Sequence, residues 1–143
     1  MSKSNSWENS ILDLLFVATA IANIADNAAA APLVNLFVSL HTGDPGEAGS
    51  QTTSEATYGD YARVAVARTA GGWTVSTNTV VNAAAVTFPE ATSGTETLTH
   101  FGIGTLTSGA GVLLYSGALT ASLNVTTGVQ PQFNAGDITV TED

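Results

Sequence analysis

The chain has 143 residues, twelve of them acidic and three basic, giving a formal net charge of −9. Hydrophobic residues make up 44% and charged residues only 10%, against a typical charged share of about 25%, so disorder, which combines low hydrophobicity with high charge, is excluded. With Lys3, Arg63 and Arg68 as its only cations and no cysteine, the chain is unsuited to nucleic-acid phosphates and anionic membranes, and has no disulfides or thiolate chemistry.

In chain order, the first signal is helical. Trp7, Ile11, Leu14, Leu15, Ala18, Ile21, Ala22 and Ala25 recur at i, i+3, i+4 and i+7. This predicts an amphipathic helix, N-capped by Ser6 with Glu8 in its first turn, and ended by Pro32. Asp13 and Asp26, with Asn23 and Asn27, argue against reading the stretch as a signal peptide or a membrane span. Such a helix either covers the open side of a sheet or forms an arm that docks on a partner.

From Leu33 the period changes to two. Leu33 to His41 places Val34, Leu36, Val38 and Leu40 on one face and Asn35, Phe37, Ser39 and His41 on the other. A Gly-Asp-Pro-Gly turn follows, and Gly49 to Gly59 is polar and aperiodic, which predicts a long exposed loop. Tyr61 to Arg68 predicts a strand with Val64 and Val66 inward. Gly71 and Gly72 turn into Trp73, Val75 and the Asn78 region, with Trp73 a core candidate. Further strands are expected over Ala83 to Phe88, Leu98 to Thr105, Val112 to Tyr115, Leu119 to Val125, Pro131 to Phe133 and Ile138 to Thr141, the last with Ile138 and Val140 inward. Short strands at this spacing, with no strand-helix alternation after Pro32, predict an all-β fold: a jelly-roll-type antiparallel β-sandwich with an N-terminal α-helix. Residues 1–32 form a helical arm and residues 33–143 the sandwich, a single domain overall.

Chemical motifs are sparse. His41 and His100 share no metal-ligand spacing, and ordinary hydrogen bonds at strand ends are expected for both. Asp44, Glu47, Glu55 and Asp60 do not follow a calcium-loop pattern. No catalytic residue, metal site or cofactor is expected, and the chain is read as no enzyme. Arg63 and Arg68 would point to opposite faces of a regular strand. Each is expected to pair with a loop carboxylate, the alternative being that one reaches an acidic partner. The contact candidates are Trp7, Ile11 and Leu15 on the helix, Asp44 and Glu47 in the turn, and Tyr58, Tyr61 and Arg63 beyond it.

Several stretches, in order, resemble a group of small tailed-phage virion proteins often labelled tail-fibre-like. They are Leu36 to Glu47, Tyr61 to Arg68, Asn82 to Thr92, Thr99 to Gly104, Leu114 to Leu119 and Phe133 to Val140. The chain is similar in particular to capsid cement (decoration) proteins of short-tailed phages. The resemblance implies a structural virion protein on the outer surface of the capsid. It would be a homodimer that clamps neighbouring capsomeres of the major capsid protein against internal DNA pressure, with no nucleic-acid or membrane partner. A tail-fibre-associated or receptor-binding module is the alternative, and a carbohydrate-active enzyme with two close carboxylates is a third reading.

Overall fold

The computed structural model describes residues 3–28 and 30–142. Met1 and Ser2 of the expected arm, Ala29 of the expected helix and Asp143 of the expected sandwich lie outside the described residues. The chain divides into two compact units: Met1–Asn35, Val66–Ala85 and Phe133–Asp143 form one, and Leu36–Ala65 with Val86–Gln132 form the other. The fold is all-β with one N-terminal helix, and the pairings β1–β6, β6–β7, β3–β4 and β4–β9, whose ranges follow, are antiparallel.

In the first unit, helix α1 spans Asn5–Val17. Its N-cap is Ser4, not Ser6: the Ser4 side chain accepts from the Trp7 N–H at the helix start. The helix also stops well before Pro32. Ala18 takes a left-handed conformation at φ 56°, and the N–H groups of Ala18 and Thr19 turn back to the Asp13 carbonyl. The reason lies in what the predicted stripe can bury. Leu12 and Phe16 are fully buried, whereas past Phe16 the stripe is largely alanine, and a helix without tertiary burial is marginal. Ile21 and Ala25 instead exchange backbone hydrogen bonds at 2.7 and 3.0 Å across a tight turn.

Helix α1 packs against β3 (Trp73–Ser76) and β4 (Thr79–Asn82), which form a sheet with β9 (Thr139–Thr141) in the order β3-β4-β9. The stretch expected to run from Trp73 into the Asn78 region as one element is a hairpin, with Ser76 paired to Thr79 and Thr77 at φ 56° in its two-residue turn. Trp73 is core, as expected, its ring edge-on to Phe16 at a centroid distance of 4.8 Å. Val80, Ile138 and Val140 are buried with it. Asn82, also buried, donates from Nδ2 to the carbonyls of Ala84 and Asn134 and accepts the Ile138 N–H at Oδ1, so its amide ties the approach to β9 onto β4.

Strands β2 (Val64–Ala67), β1 (Asn35–His41), β6 (Glu96–Gly104) and β7 (Leu113–Val125) form a sheet ordered β2-β1-β6-β7, of which β6, β7 and β1 from Leu36 onward belong to the second unit. The expected Val112–Tyr115 and Leu119–Val125 strands are one long strand, β7, whose ladder to β6 slips between Leu98 and His100. Of the expected Ala83–Phe88 strand only β5 (Val86–Thr87) forms, paired with β8 (Gln132–Phe133). Leu36, Val38 and Leu40 are buried as the alternation requires, yet Ser39 and His41 on the opposite face are buried too. The segment that covers them is the one expected to be an exposed loop. Gln51, Ala56 and Tyr58 all lie in the interior, because their polar atoms find partners that local periodicity does not reveal.

Candidate functional site

In the first unit the helix end is held by Arg68. Its Nε donates to the Leu15 carbonyl at 2.6 Å, Nη2 to the Leu14 carbonyl at 2.7 Å, and Nη1 to Leu33 O and Asn27 Oδ1 at 2.7 and 3.0 Å. This corrects the expectation of a carboxylate partner. The guanidinium satisfies carbonyls that a helix C-terminus leaves open and sits at the negative end of the helix dipole. Burial pulls its pKa below the ordinary arginine value. Lys3 is bridged to Glu142 at 2.9 Å. Trp7 is 37% exposed, Leu33 is exposed, and Ile24 and Val34 are more so. Ile11 and Leu15 are half-buried.

In the second unit the polar residues form a frame. Arg63, expected to meet a carboxylate, does so: Nε and Nη2 grip Glu55 Oε1 and Oε2 at 2.6 and 2.7 Å. The same guanidinium donates from Nη1 to Leu106 O and from Nη2 to Gly109 O, both at 2.8 Å. Tyr61 Oη accepts the Leu40 N–H and donates to Glu55 Oε1, so the carboxylate is tied to β1 as well. Burial is the main cause of the raised Tyr61 pKa. Tyr58, also buried, donates to the Pro89 carbonyl, and its phenol is pushed up to about 12 by burial and, secondarily, by Glu96. Glu96 accepts the N–H groups of Thr57 and Tyr58 at 3.0 to 3.2 Å, fixing the approach to both tyrosines.

His41 ends β1, whereas His100 lies inside β6, not at a strand end. His100 Nδ1 meets Thr99 Oγ1 at 2.9 Å. His41 Nδ1 lies 2.8 Å from the Thr53 carbonyl and Nε2 lies 2.8 Å from Ser39 Oγ. A carbonyl only accepts, so Nδ1 carries the proton and Nε2 accepts from the Ser39 hydroxyl. Burial lowers the His41 pKa below 6.5, outweighing the opposing pull of the Thr53 hydrogen bond.

Among the contact candidates of this unit, Asp44 and Glu47 are exposed, Tyr61 is half-buried, and Tyr58 and Arg63 are interior. Asp44 and Glu47 line an open cleft of about 520 Å³ together with Leu113, Leu114, Tyr115 and Ser116 of β7. Sequence reading passed over Gln51, Glu55 as the partner of Arg63, and Glu96. Their roles follow from partners up to 55 residues away in the chain, and no local pattern signals such pairings.

Residues 2–141 match the family described as Podophage GP4 fiber I protein gp80. No curated protein matches the chain.

Proposed function

The chain belongs to this family of podophage fiber proteins and is a structural protein of a phage virion; on that premise we propose that it is a non-catalytic subunit of the fibre apparatus. The observation that carries the reading is the extent of the match, which covers both compact units and not an appended segment. The use of polar side chains supports it. Arg63, Glu55, His41, Gln51 and Asn82 are each engaged by partners within their own unit, where they position backbone. The side chains offered outward include large apolar ones: Trp7, Ile24, Leu33 and Val34 in the first unit, Leu106 and Val112 in the second. Exposed apolar side chains are available for contact, and buried hydrogen-bonded frames serve rigidity.

A second reading is favoured by the ordered series of motifs from Leu36 to Val140, which resembles capsid cement proteins. On that reading the chain is a homodimer on the outer capsid surface that clamps the major capsid protein. Copy number in purified particles, measured by quantitative mass spectrometry against the major capsid protein, separates the two. A small fraction of the capsid-protein copies is expected for a fibre subunit. A ratio approaching parity overturns the fibre reading in favour of cement.

A further inference from the structure

At the start of α1 two neighbouring side chains are placed against their chemistry. Glu8 shares a helix face with Leu12 and Phe16, four and eight residues further on, and all three are buried. Glu8 is 5% exposed, whereas Trp7, the large apolar residue beside it, is 37% exposed. Ser4, Asn5 and Ser6 are exposed as well, so the acid lies beneath an exposed first turn. An amphipathic helix packed only for its own stability would bury the indole and leave the carboxylate in water.

The rest of the chain does not compensate. Among the described residues, none donates a hydrogen bond to the Glu8 carboxylate or forms an ion pair with it. Its oxygens are nonetheless not sealed in: the fully enclosed side-chain polar atom that lacks a hydrogen bond among the described residues is Trp73 Nε1. The Glu8 carboxylate therefore ends at a narrow opening, with its stem buried. The cations are committed elsewhere. Lys3 is bridged to Glu142, Arg63 holds Glu55, and Arg68 holds the Leu14 and Leu15 carbonyls. A carboxylate largely removed from water without a counter-charge is costly. A local rule broken with no gain inside the chain marks a functional position.

We propose that the start of α1 is a contact surface, and that its occupant is an arginine side chain of a neighbouring virion protein. A guanidinium sits on a long stem, is weakly hydrated and matches a carboxylate in shape, so it suits a narrow, partly desolvated opening better than an ammonium does. Trp7 offers the same partner an apolar anchor beside the charge. A second copy does not supply the cation, because Lys3, Arg63 and Arg68 are engaged within their own chain and each copy carries −9. A metal ion is a poor occupant too, since a single carboxylate does not hold one and no group of three metal-ligating side chains occurs among the described residues.

The inference rests on the virion reading, because the partner is sought within the particle. Glu8→Gln in the full phage-encoded chain keeps the shape and removes the charge. The purified variant should melt at or above the temperature of the parent, since no internal ion pair is lost. Its retention on particles should fall about tenfold, and what remains should be less sensitive to salt. A clearly lower melting temperature would mean that Glu8 serves the fold, and overturns the inference, as does undiminished retention. A second measurement does not depend on that variant. The photo-crosslinking amino acid p-benzoylphenylalanine replaces exposed Trp7, with exposed Thr126 as control, and intact particles are irradiated and mapped by mass spectrometry. Cross-links from position 7, but not 126, to an arginine-bearing segment of a different virion protein are expected. Cross-links only to a second copy, only within the chain, to a segment without arginine, or to nothing overturn the inference while leaving the virion reading intact. Absence of the chain from purified particles overturns the virion reading itself, and this inference with it.

Discussion

Gly102 stands opposite Ser39 in the β1–β6 ladder, and the space its side chain lacks is occupied by the Ser39–His41 hydrogen bond. A Cβ at residue 102 would lie 2.7 Å from both Ser39 Oγ and His41 Nε2, and 2.8 Å from a methyl of Leu113. Gly102→Ala should therefore destabilise the chain by about 1–3 kcal/mol, the range for overpacking a tight core. Gly71→Ala, where the new methyl meets only Thr69 at an ordinary 3.7 Å, should change stability far less. Urea denaturation midpoints of the two variants check the contrast.

The Arg63–Glu55 pair should contribute more to stability than the Lys3–Glu142 pair. The Arg63 side chain is 2% exposed and Glu55 15%, whereas Lys3 in its bridge to Glu142 is 34% exposed. Glu55→Gln leaves a buried guanidinium without its counter-charge and should cost about 3–5 kcal/mol. Lys3→Met removes a partly solvated partner and should cost less than about 1 kcal/mol. Equal losses in equilibrium unfolding would refute the ranking.

His41 makes folding pH-dependent with a definite sign. Its folded pKa lies below the unfolded value of 6.5, chiefly through burial. Between those two values the unfolded chain binds the proton and the folded chain does not. The stabilising contribution is therefore complete above pH 6.5 and is lost as pH falls toward the folded pKa. Denaturation midpoints should decline over that interval in the parent protein, and the His41→Gln variant should show a shallower decline. A His41 ring proton that titrates by NMR at or above 6.5 in the folded chain would contradict the assignment.

Ala18 ends α1 in the left-handed region at φ 56°. An L-residue there carries a cost of roughly 1–2 kcal/mol that glycine avoids, partly offset by the greater entropy glycine loses on folding. Ala18→Gly should accordingly stabilise the chain by up to about 1 kcal/mol. Calorimetric melting should show the rise. The same substitution at Ala25, whose φ is not positive, should not.

The alternation of Leu36, Val38 and Leu40, the inward setting of Ile138 and Val140, and the core position of Trp73 were all legible in the chain, because a two-residue period and a large aromatic after a glycine turn are local signals. So were the acidic balance and the partnership of Arg63 with a loop carboxylate, a consequence of placing one of three cations among twelve acids. Helix α1 was legible in kind but not in length. Its periodic stripe continued through alanines that bury too little surface to sustain it, and the left-handed Ala18 ended it.

By itself, then, the sequence determined an all-β chain with a helical start, a charge unsuited to phosphates, and a set of ordered motifs that resemble phage virion proteins. Tertiary structure alone decided that the polar Gly49–Gly59 stretch turns inward, that Arg68 grips helix carbonyls, and that Gln51 and Arg63 both hold the Leu106 carbonyl. Hydrophobic alternation repeats along the chain and can be read locally. Whether a buried hydrogen-bonding group is satisfied depends on partners tens of residues away, and those meet only once the strands have registered.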